Sequence, residues 1–442
     1  MKRWPIILLL AVAVLVFVAP GIVGRLAEKQ LDDNLTWLEQ ENDDIVITTE
    51  KFDRGWFTSV GRHRVTMRNG SLLQMLAADE SSDSSNMPSL IIDTRLDHGL
   101  IPITSLGREN GSLKPGLGSS VSTLYVDDGS GELTDLPGKI YSTIGLTGDV
   151  SLRYLMEEGS LTRQNALITW SGADITLTTD STKQSLAARG IIEPASLESY
   201  GVTTDIGRVS FALEQDKSEY AFGVGRASLE IDSFTVTSPG EPKAGFAKVS
   251  IEVASELVDD RLNGIAALEF GHIIMPGLGD MNLYFSVAAN GLDVGAMEVF
   301  VGALREAQAR QPDASMEVLL PQVEDELEAL VMKGVEIDIT RLDISLPQGD
   351  LYTRIKITIP DSGSGGSFSW PGIILATTAS IDLKISTSLF EMAQDMNPQA
   401  SALLAMGIVK RNGDNYEMEV RYAKGLMTIN GAPMPIPLSL SQ

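Results

Sequence analysis

Residues 227–236 read Ala-Ser-Leu-Glu-Ile-Asp-Ser-Phe-Thr-Val. Leu229 and Ile231 alternate with Glu230 and Asp232, so an extended chain puts the aliphatic side chains on one face and the carboxylates on the other. A strand with one covered and one wet face belongs in an antiparallel sheet; a strand buried on both faces would be apolar throughout. Strand runs, many of them with this pattern, continue upstream at Ile45–Thr49, Phe52–Met67, Leu90–Ile92, Ile140–Ile144, Ala166–Trp170, Ile175–Thr179 and Val209–Glu214. Downstream it returns at Ala247–Ala254, Ala267–His272, Asn282–Ala288, Glu336–Ile344, Leu351–Ile359, Ser380–Ser386, Tyr416–Tyr422 and Leu426–Ile429. Gly and turn residues between these runs supply the hairpin connections such strands need.

Three segments change period. Asp293–Gln308 and Ser315–Lys333 carry helical spacing and are separated by Pro312; Ser388–Met406 is a third helix, kinked at Pro398. Residues 78–88 and 360–367 are polar stretches with loop composition. The expected fold is therefore mainly β, of the α+β type: a large antiparallel sheet domain, able to curl, with a few covering helices. Composition divides it into a front β-rich half at 45–240 and a back half with the helices at 241–442, which can belong to one domain.

The N-terminus carries a different signal. Trp4–Val23 is a run of 20 residues without a charge, long enough as a helix to span about 30 Å, the thickness of a bilayer's hydrocarbon core. Lys2 and Arg3 precede it, whereas Arg25 and Lys29 are mixed with Glu28, Asp32 and Asp33 after it, which favours a cytoplasmic amino end. A cleaved signal peptide shares the charged start, but its apolar core is usually shorter, and Pro20 after Val18-Ala19 hinders cleavage. Residues 1–24 are expected to form the cytoplasmic end and a single-pass anchor. Residues 25–44, with Leu26, Leu31, Leu35 and Leu38 at near-helical spacing, are expected to form an amphipathic stalk.

Charge and chemistry narrow the function. With 59 acidic and 34 basic residues the formal charge is −25, a surface that repels nucleic acid, whose affinity rests on phosphate neutralisation. The absence of cysteine excludes disulfides, thiolate nucleophiles and cysteine-ligated metal centres. The histidines His63, His98 and His272 share no metal-ligand spacing, and no acidic run has the EF-hand pattern. Gly363–Gly366 lacks the lysine of a phosphate loop, and the nucleophile-elbow pattern is missing. The most enzyme-like spot is Asp97-His98-Gly99, yet strand neighbours point to opposite faces, so Asp97 is badly placed to orient His98 and a turn or edge role is expected. Gly55-Trp56-Phe57 reads as a packed bend that begins a strand. No catalytic, cofactor-binding or metal-binding residue is expected.

Landmarks along nearly the whole chain resemble the YdgA-like family of Gram-negative envelope proteins, a domain of unknown function. They are the apolar helix, Arg54-Gly55-Trp56-Phe57-Thr58-Ser59, Leu96-Asp97-His98-Gly99-Leu100-Ile101-Pro102, the helical region from Leu292-Asp293 to Phe300, and Gly425-Leu426-Met427-Thr428-Ile429-Asn430-Gly431-Ala432-Pro433. The resemblance implies inner-membrane anchoring and a periplasmic domain, and brings no activity with it. The function expected is a non-enzymatic envelope protein sheltering a lipid or other apolar ligand. The alternatives are an interaction scaffold, homodimeric or holding an envelope protein partner, and, as a minor one, an envelope hydrolase.

Overall fold

The structure is a computed structural model describing residues 45–67, 89–98, 116–127, 133–163, 166–220, 222–275, 279–311, 314–362, 369–397 and 399–434. The expected membrane segment Trp4–Val23, the stalk, and the polar stretch 78–88 lie outside these residues. Among the described residues no helix is long and apolar enough to cross a membrane. Strand accounts for 63% and helix for 18% of them, which makes the fold mainly β and antiparallel, as the alternation predicts.

The chain divides into two compact units, Met1–Gly159 with Trp170–Glu193, and Ser160–Thr169 with Pro194–Gln442. In the first unit the strands are β1 (Ile45–Arg54), β2 (Thr58–Met67), β3 (Ser89–His98), β4 (Gly118–Asp127), β5 (Leu133–Ile144) and β6 (Val150–Met156). Two short strands that fall almost wholly in the second unit, β7 (Gly159–Arg163) and β8 (Ala166–Trp170), precede β9 (Ala173–Thr179) and β10 (Ser185–Ile192) of the first. Pairing runs in order from β1 to β6 and then through β9 to β10, antiparallel throughout.

The second unit begins with β11 (Ala195–Ser199), β12 (Val202–Ile206), β13 (Val209–Lys217), β14 (Gly223–Ile231), β15 (Phe234–Thr237) and β16 (Ala244–Phe246). Three long strands follow, β17 (Lys248–Val258), β18 (Arg261–Met275) and β19 (Gly279–Asp293). Helices α1 (Val294–Arg310), α2 (Met316–Leu319) and α3 (Glu324–Met332), the last two joined by a 3₁₀ turn at Leu320–Val323, interrupt the sheet before β20 (Val335–Leu346) and β21 (Gly349–Ile359). Then come α4 (Trp370–Ala376), β22 (Thr378–Ser386), α5 (Thr387–Met396), α6 (Gln399–Ala405), β23 (Lys410–Asn412), β24 (Asn415–Ala423), β25 (Leu426–Ile429) and β26 (Ala432–Met434). The main ladder joins nine strands in the order β13-β14-β17-β18-β19-β20-β21-β22-β24. Strands on either side of residue 240 thus pair directly: β14 with β17, and β15 with β16.

The opening decapeptide is two strands rather than one. It breaks at Asp232-Ser233, where the Asp232 amide donates to the Arg208 carbonyl and the Ser233 carbonyl accepts from Gly207. Beyond the break Phe234–Thr237 leaves the main ladder and pairs with β12. The helices match the expected spans closely. Asp293 caps α1, its carboxylate accepting from the Ala296 amide at 3.0 Å. Ala307, Leu319 and Val323 then form a small core with Phe300 and Leu304. The third expected helix is split into α5 and α6. Helix α4 was not anticipated; Ser369 caps it and Pro371 sits in its first turn, where its missing amide costs nothing.

Helix α3 ends on Gly334, whose φ of +81° is left-handed and whose absent Cβ would otherwise stand 2.7 Å from the Asp361 amide nitrogen. Replacing Gly334 with Ala is expected to cost about 1–3 kcal/mol for the left-handed backbone, with more from the clash, read as a lowered midpoint in chemical denaturation. An unchanged midpoint would disprove this account of the helix end.

Candidate functional site

The two motifs singled out near residues 55 and 98 meet in the first unit. Arg54 ends β1, the chain bends through Gly55-Trp56-Phe57, and β2 starts at Thr58, directly opposite Asp97 on β3. The bend is closed by the Gly55 amide donating to the Thr58 carbonyl at 2.9 Å, and the His98 amide donates to the Phe57 carbonyl at 2.9 Å. Asp97 and His98 do project apart. Asp97 accepts the Thr58 hydroxyl at 3.0 Å, whereas His98 Nε2 lies 3.2 Å from the Ser59 hydroxyl. All three of Ser59, Asp97 and His98 are at most 2% exposed.

A buried serine–histidine contact resembles a nucleophile and its base, but the adjacent carboxylate serves the other face of the sheet, so the arrangement is a pair of hydrogen-bonded clamps tying β2 to β3. Two expectations need correction. His98 ends its strand, but that strand is interior, flanked by β2 and β4, not an edge. Trp56 is 56% exposed, so it does not supply the packing of the bend. The remaining histidines stand elsewhere, His63 against the Thr49 hydroxyl and His272 beside Asp280 on the surface. Among the described residues no group of three or more His, Asp or Glu side chains converges as metal ligands would.

The larger feature is the two-faced ladder of the second unit. Residues directly opposite in an antiparallel pair point the same way, so the register can be followed strand by strand. One row runs Phe211, Leu229, Ile251, Leu268, Phe285, Leu342, Thr353, Leu383, Met418. Its neighbour on the same face runs Val209, Ile231, Val249, Phe270, Leu283, Ile344, Leu351, Ile385, Tyr416. Between them, on the opposite face, lie Ser210, Glu230, Ser250, Glu269, Tyr284, Asp343, Tyr352, Lys384 and Glu417. The apolar rows hold few polar atoms, those of Thr353 and the Tyr416 hydroxyl, and extend about 38 Å at the usual ~4.8 Å between strands.

These rows are not an ordinary core. Only Val249, Thr353 and Tyr416 are buried; every other member is partly exposed. Covering is concentrated at one end, where Phe390 of α5 packs against Tyr416 with the rings tilted by 38° at 4.4 Å between centroids and Val409 completes the cluster with Ile385 and Met418. Near the middle, Phe246 meets Phe270 edge-on at 6.0 Å and stacks with Phe234. Register shifts interrupt the β18–β19, β19–β20 and β20–β21 pairings; such bulges bend a sheet and increase its twist.

The open clefts lie on the polar faces. One in the second unit, ≈ 1020 Å³, is bordered by Arg341, Arg354, Lys384, Lys410 and Arg411 against Asp343, Asp382, Glu417 and Glu419, a nearly balanced set. Arg341 also stands over the Tyr284 ring at 4.1 Å. In the first unit a cleft of ≈ 780 Å³ opens over β2–β5. Arg62 grips Asp93 there through Nε and Nη2 at 2.6 and 2.5 Å, and this hydrogen bonding raises the guanidinium pKa above its ordinary value. Further along that sheet face Arg153 holds Asp174 in the same fork, at 2.8 and 2.6 Å, keeping its carboxyl below the usual carboxylate pKa.

Fold and faces define a class: a mainly β bacterial protein built on an extended two-faced antiparallel ladder. The family described as "Bacterial protein of unknown function (DUF945)" matches residues 1–437, and the chain belongs to it. No curated protein and no solved structure matches the chain.

Sequence inspection singled out the right corner at 54–59 and 96–99 but not the Ser59–His98 contact, because strand register, which alone brings those two side chains together, is not written in either motif. Replacing His98 with Ala leaves the buried Ser59 hydroxyl without this partner. The expected loss is about 1–3 kcal/mol, measured by denaturant unfolding, and a variant as stable as the parent would show that the clamp contributes nothing.

Proposed function

We propose that this is a membrane-anchored, non-enzymatic envelope protein that shelters acyl chains on the apolar face of its second unit. One observation carries the reading: two neighbouring apolar rows cross nine strands and remain half-covered. A folded domain has no reason to leave so continuous an apolar surface uncovered unless something else occupies it. The chemistry of the rows favours hydrocarbon over a protein surface. Protein interfaces carry about one hydrogen bond per 100–200 Å², and these rows offer almost no donors or acceptors. Length agrees as well: an acyl chain reaching across one leaflet is about 15 Å, half the hydrocarbon thickness, so a track of about 38 Å accommodates more than one. Each methylene withdrawn from water contributes about 0.8 kcal/mol, enough for a chain of ordinary length to bind without any polar contact.

Placement at the bacterial inner membrane, with the main domain in the periplasm and no cofactor, rests on the Trp4–Val23 run and its flanking charges. The YdgA-like resemblance supports the same address. A second copy is the competing occupant of the apolar face, since a half-covered sheet surface is also what a homodimer or envelope partner would bury.

The test is to extract the full chain gently from membranes and compare its co-purifying lipids, by mass spectrometry, with those of an unrelated single-pass protein. Enrichment of acyl lipid is expected, together with at least a tenfold fall on Leu268→Glu, a mid-row position, while far-UV circular dichroism stays that of the parent. If Leu268→Glu does not fold, a photoreactive fatty acid replaces it, and its crosslinks should fall on the two rows. No enrichment over the control, or crosslinks on the charged face, overturns the proposal. A dimer in sedimentation that Leu268→Glu dissociates, without any bound lipid, transfers the face to the scaffold reading.

A further inference from the structure

The helices beside the apolar face carry apolar side chains of their own that nothing covers. Residues 362–381 hold no charged side chain, a run of 20 that contains α4, and residues 396–409 hold none either, a run of 14 that contains α6. Gly425–Met434, with β25 and β26, is likewise uncharged. These runs stand in a chain of 59 acidic and 34 basic residues. Leu375 of α4 and Leu403 and Leu404 of α6 are exposed, and Met396, Met406 and Leu426 are 74%, 64% and 72% exposed. No residue of α6 is buried.

Contacts with the β24–β25 hairpin join these helices into one rim at the β24 side of the face. Tyr422 shares a face with Met418 and Tyr416 of the apolar rows, since alternate residues of a strand point the same way. Its hydroxyl donates to the Ile374 carbonyl of α4 at 2.6 Å. Gly425 makes room for the same helix, because a Cβ there would stand 2.7 Å from Leu375 Cδ2; α4 therefore lies against the turn that leads into Leu426. At the other end of β25 the Asn430 side-chain amide donates to the Gly407 and Ile408 carbonyls at 3.1 and 2.9 Å, which ties the end of α6 to the hairpin. Helix α5 leads into α6, and its Phe390 covers the Tyr416 end of the rows. The exposed rim is thus continuous with the apolar face.

We infer that this rim docks on the surface of a lipid bilayer. Single exposed apolar side chains call for no explanation; a contiguous set on charge-free helices does. Protein partners are held by hydrogen bonds as well as apolar area, and α6, Gln399-Ala-Ser-Ala-Leu-Leu-Ala, offers few groups to make them. A bilayer needs none: a helix satisfies its own backbone, its apolar side chains enter the boundary between headgroups and acyl chains, and Trp, here the exposed Trp370, sits at headgroup level. Charge selects the same surface. A formal charge of −25 is repelled by anionic headgroups, so the chain meets a membrane best where it carries no carboxylate. Of the acidic residues that bound the runs, Asp361 and Asp382 are paired, with Arg261 at 3.6 Å and Arg421 at 2.8 Å. The proposed Trp4–Val23 anchor keeps a bilayer within reach, since residues 24–44 extend at most about 70 Å. This inference rests on the membrane placement and the acyl-chain reading and deepens them: acyl chains leave the bilayer at the rim and enter the rows beside α5.

The chain has no cysteine, so a single introduced cysteine reports on one position. The full chain carrying Leu375→Cys, Leu403→Cys or Met406→Cys is labelled with bimane and reconstituted into vesicles of phosphatidylethanolamine with a minority of phosphatidylglycerol. Val258→Cys, exposed at the end of β17 in the same unit, is the control. Lipid brominated along its acyl chains is expected to quench the rim labels at least about twofold, because a docked helix lies about 5–10 Å into the headgroup–acyl boundary, and to leave the Val258 label bright. Rim labels that brominated lipid does not quench overturn the inference. If they are also shielded from aqueous iodide, a second copy or another protein covers the rim in place of the bilayer. All three positions are exposed; a variant whose circular dichroism departs from the parent's is set aside and the other two are read. Quenching at the rim without acyl lipid on the extracted protein keeps the docking surface and refutes the acyl-chain proposal. Acyl lipid on the protein with an unquenched rim does the reverse.

Discussion

Parity is the constraint on which the second unit depends. In an antiparallel pair each residue shares a face with its partner, and a slip of one residue turns a whole strand over. Nine strands in succession keep their aliphatic and aromatic side chains on one side because every hairpin and crossover preserves phase, and where the count would fail a bulge restores it. Between Ile339 and Leu342 one strand advances three residues while its partner advances two, from Thr353 to Ile355. Without that extra residue Ile339 would face the charged side. Both apolar rows, and any capacity to hold an apolar ligand, exist because the phase survives the whole ladder.

The two units use the same alternation for different ends. In the first, the covered side is largely hydroxyl-bearing around β2–β4: Thr94 bonds Ser122 at 2.7 Å, Ser120 bonds Ser142, and Ser59 meets His98. Buried polar groups are tolerated there because each finds a cross-strand partner, which specifies register more sharply than methyl groups could. In the second, the corresponding side is almost purely hydrocarbon, specifies little beyond burial and is left half-covered. The opposite faces of both units carry cross-strand ion pairs, such as Arg62 with Asp93 in the first and Arg421 with Asp382 in the second.

The residues that look most like catalysis are engaged in hydrogen bonds between neighbouring strands. Asp97 and His98 serve opposite faces, and each ties β3 to β2 through a hydroxyl of the Thr58-Ser59 pair. The two motifs that mark the chain most distinctively are the two sides of one strand junction, and their common purpose is to hold the start of β2 against the end of β3.

Much of this was legible in the sequence, for a local reason: alternation and helical period depend on neighbours along the chain. Leu426–Ile429 and Ala166–Trp170 have the bounds their alternation gives, and the helix from Asp293 onward follows from short-range spacing. What failed was also physical. Gly118–Asp127, with three serines in its first five residues, has the composition of a loop at that end and is a strand because β3 and β5 hold it on both sides. Reading 227–236 as one strand missed a change of partner at Asp232-Ser233, where the apolar phase passes from Leu229 and Ile231 to Phe234 and Val236. The sequence by itself determined which face of each strand would be apolar, since that is a property of one residue and the next. Only the tertiary structure decided that those faces join into rows across nine strands and that the rows stay half-covered. These depend on register between segments far apart in the chain, and register is set by pairing rather than by composition.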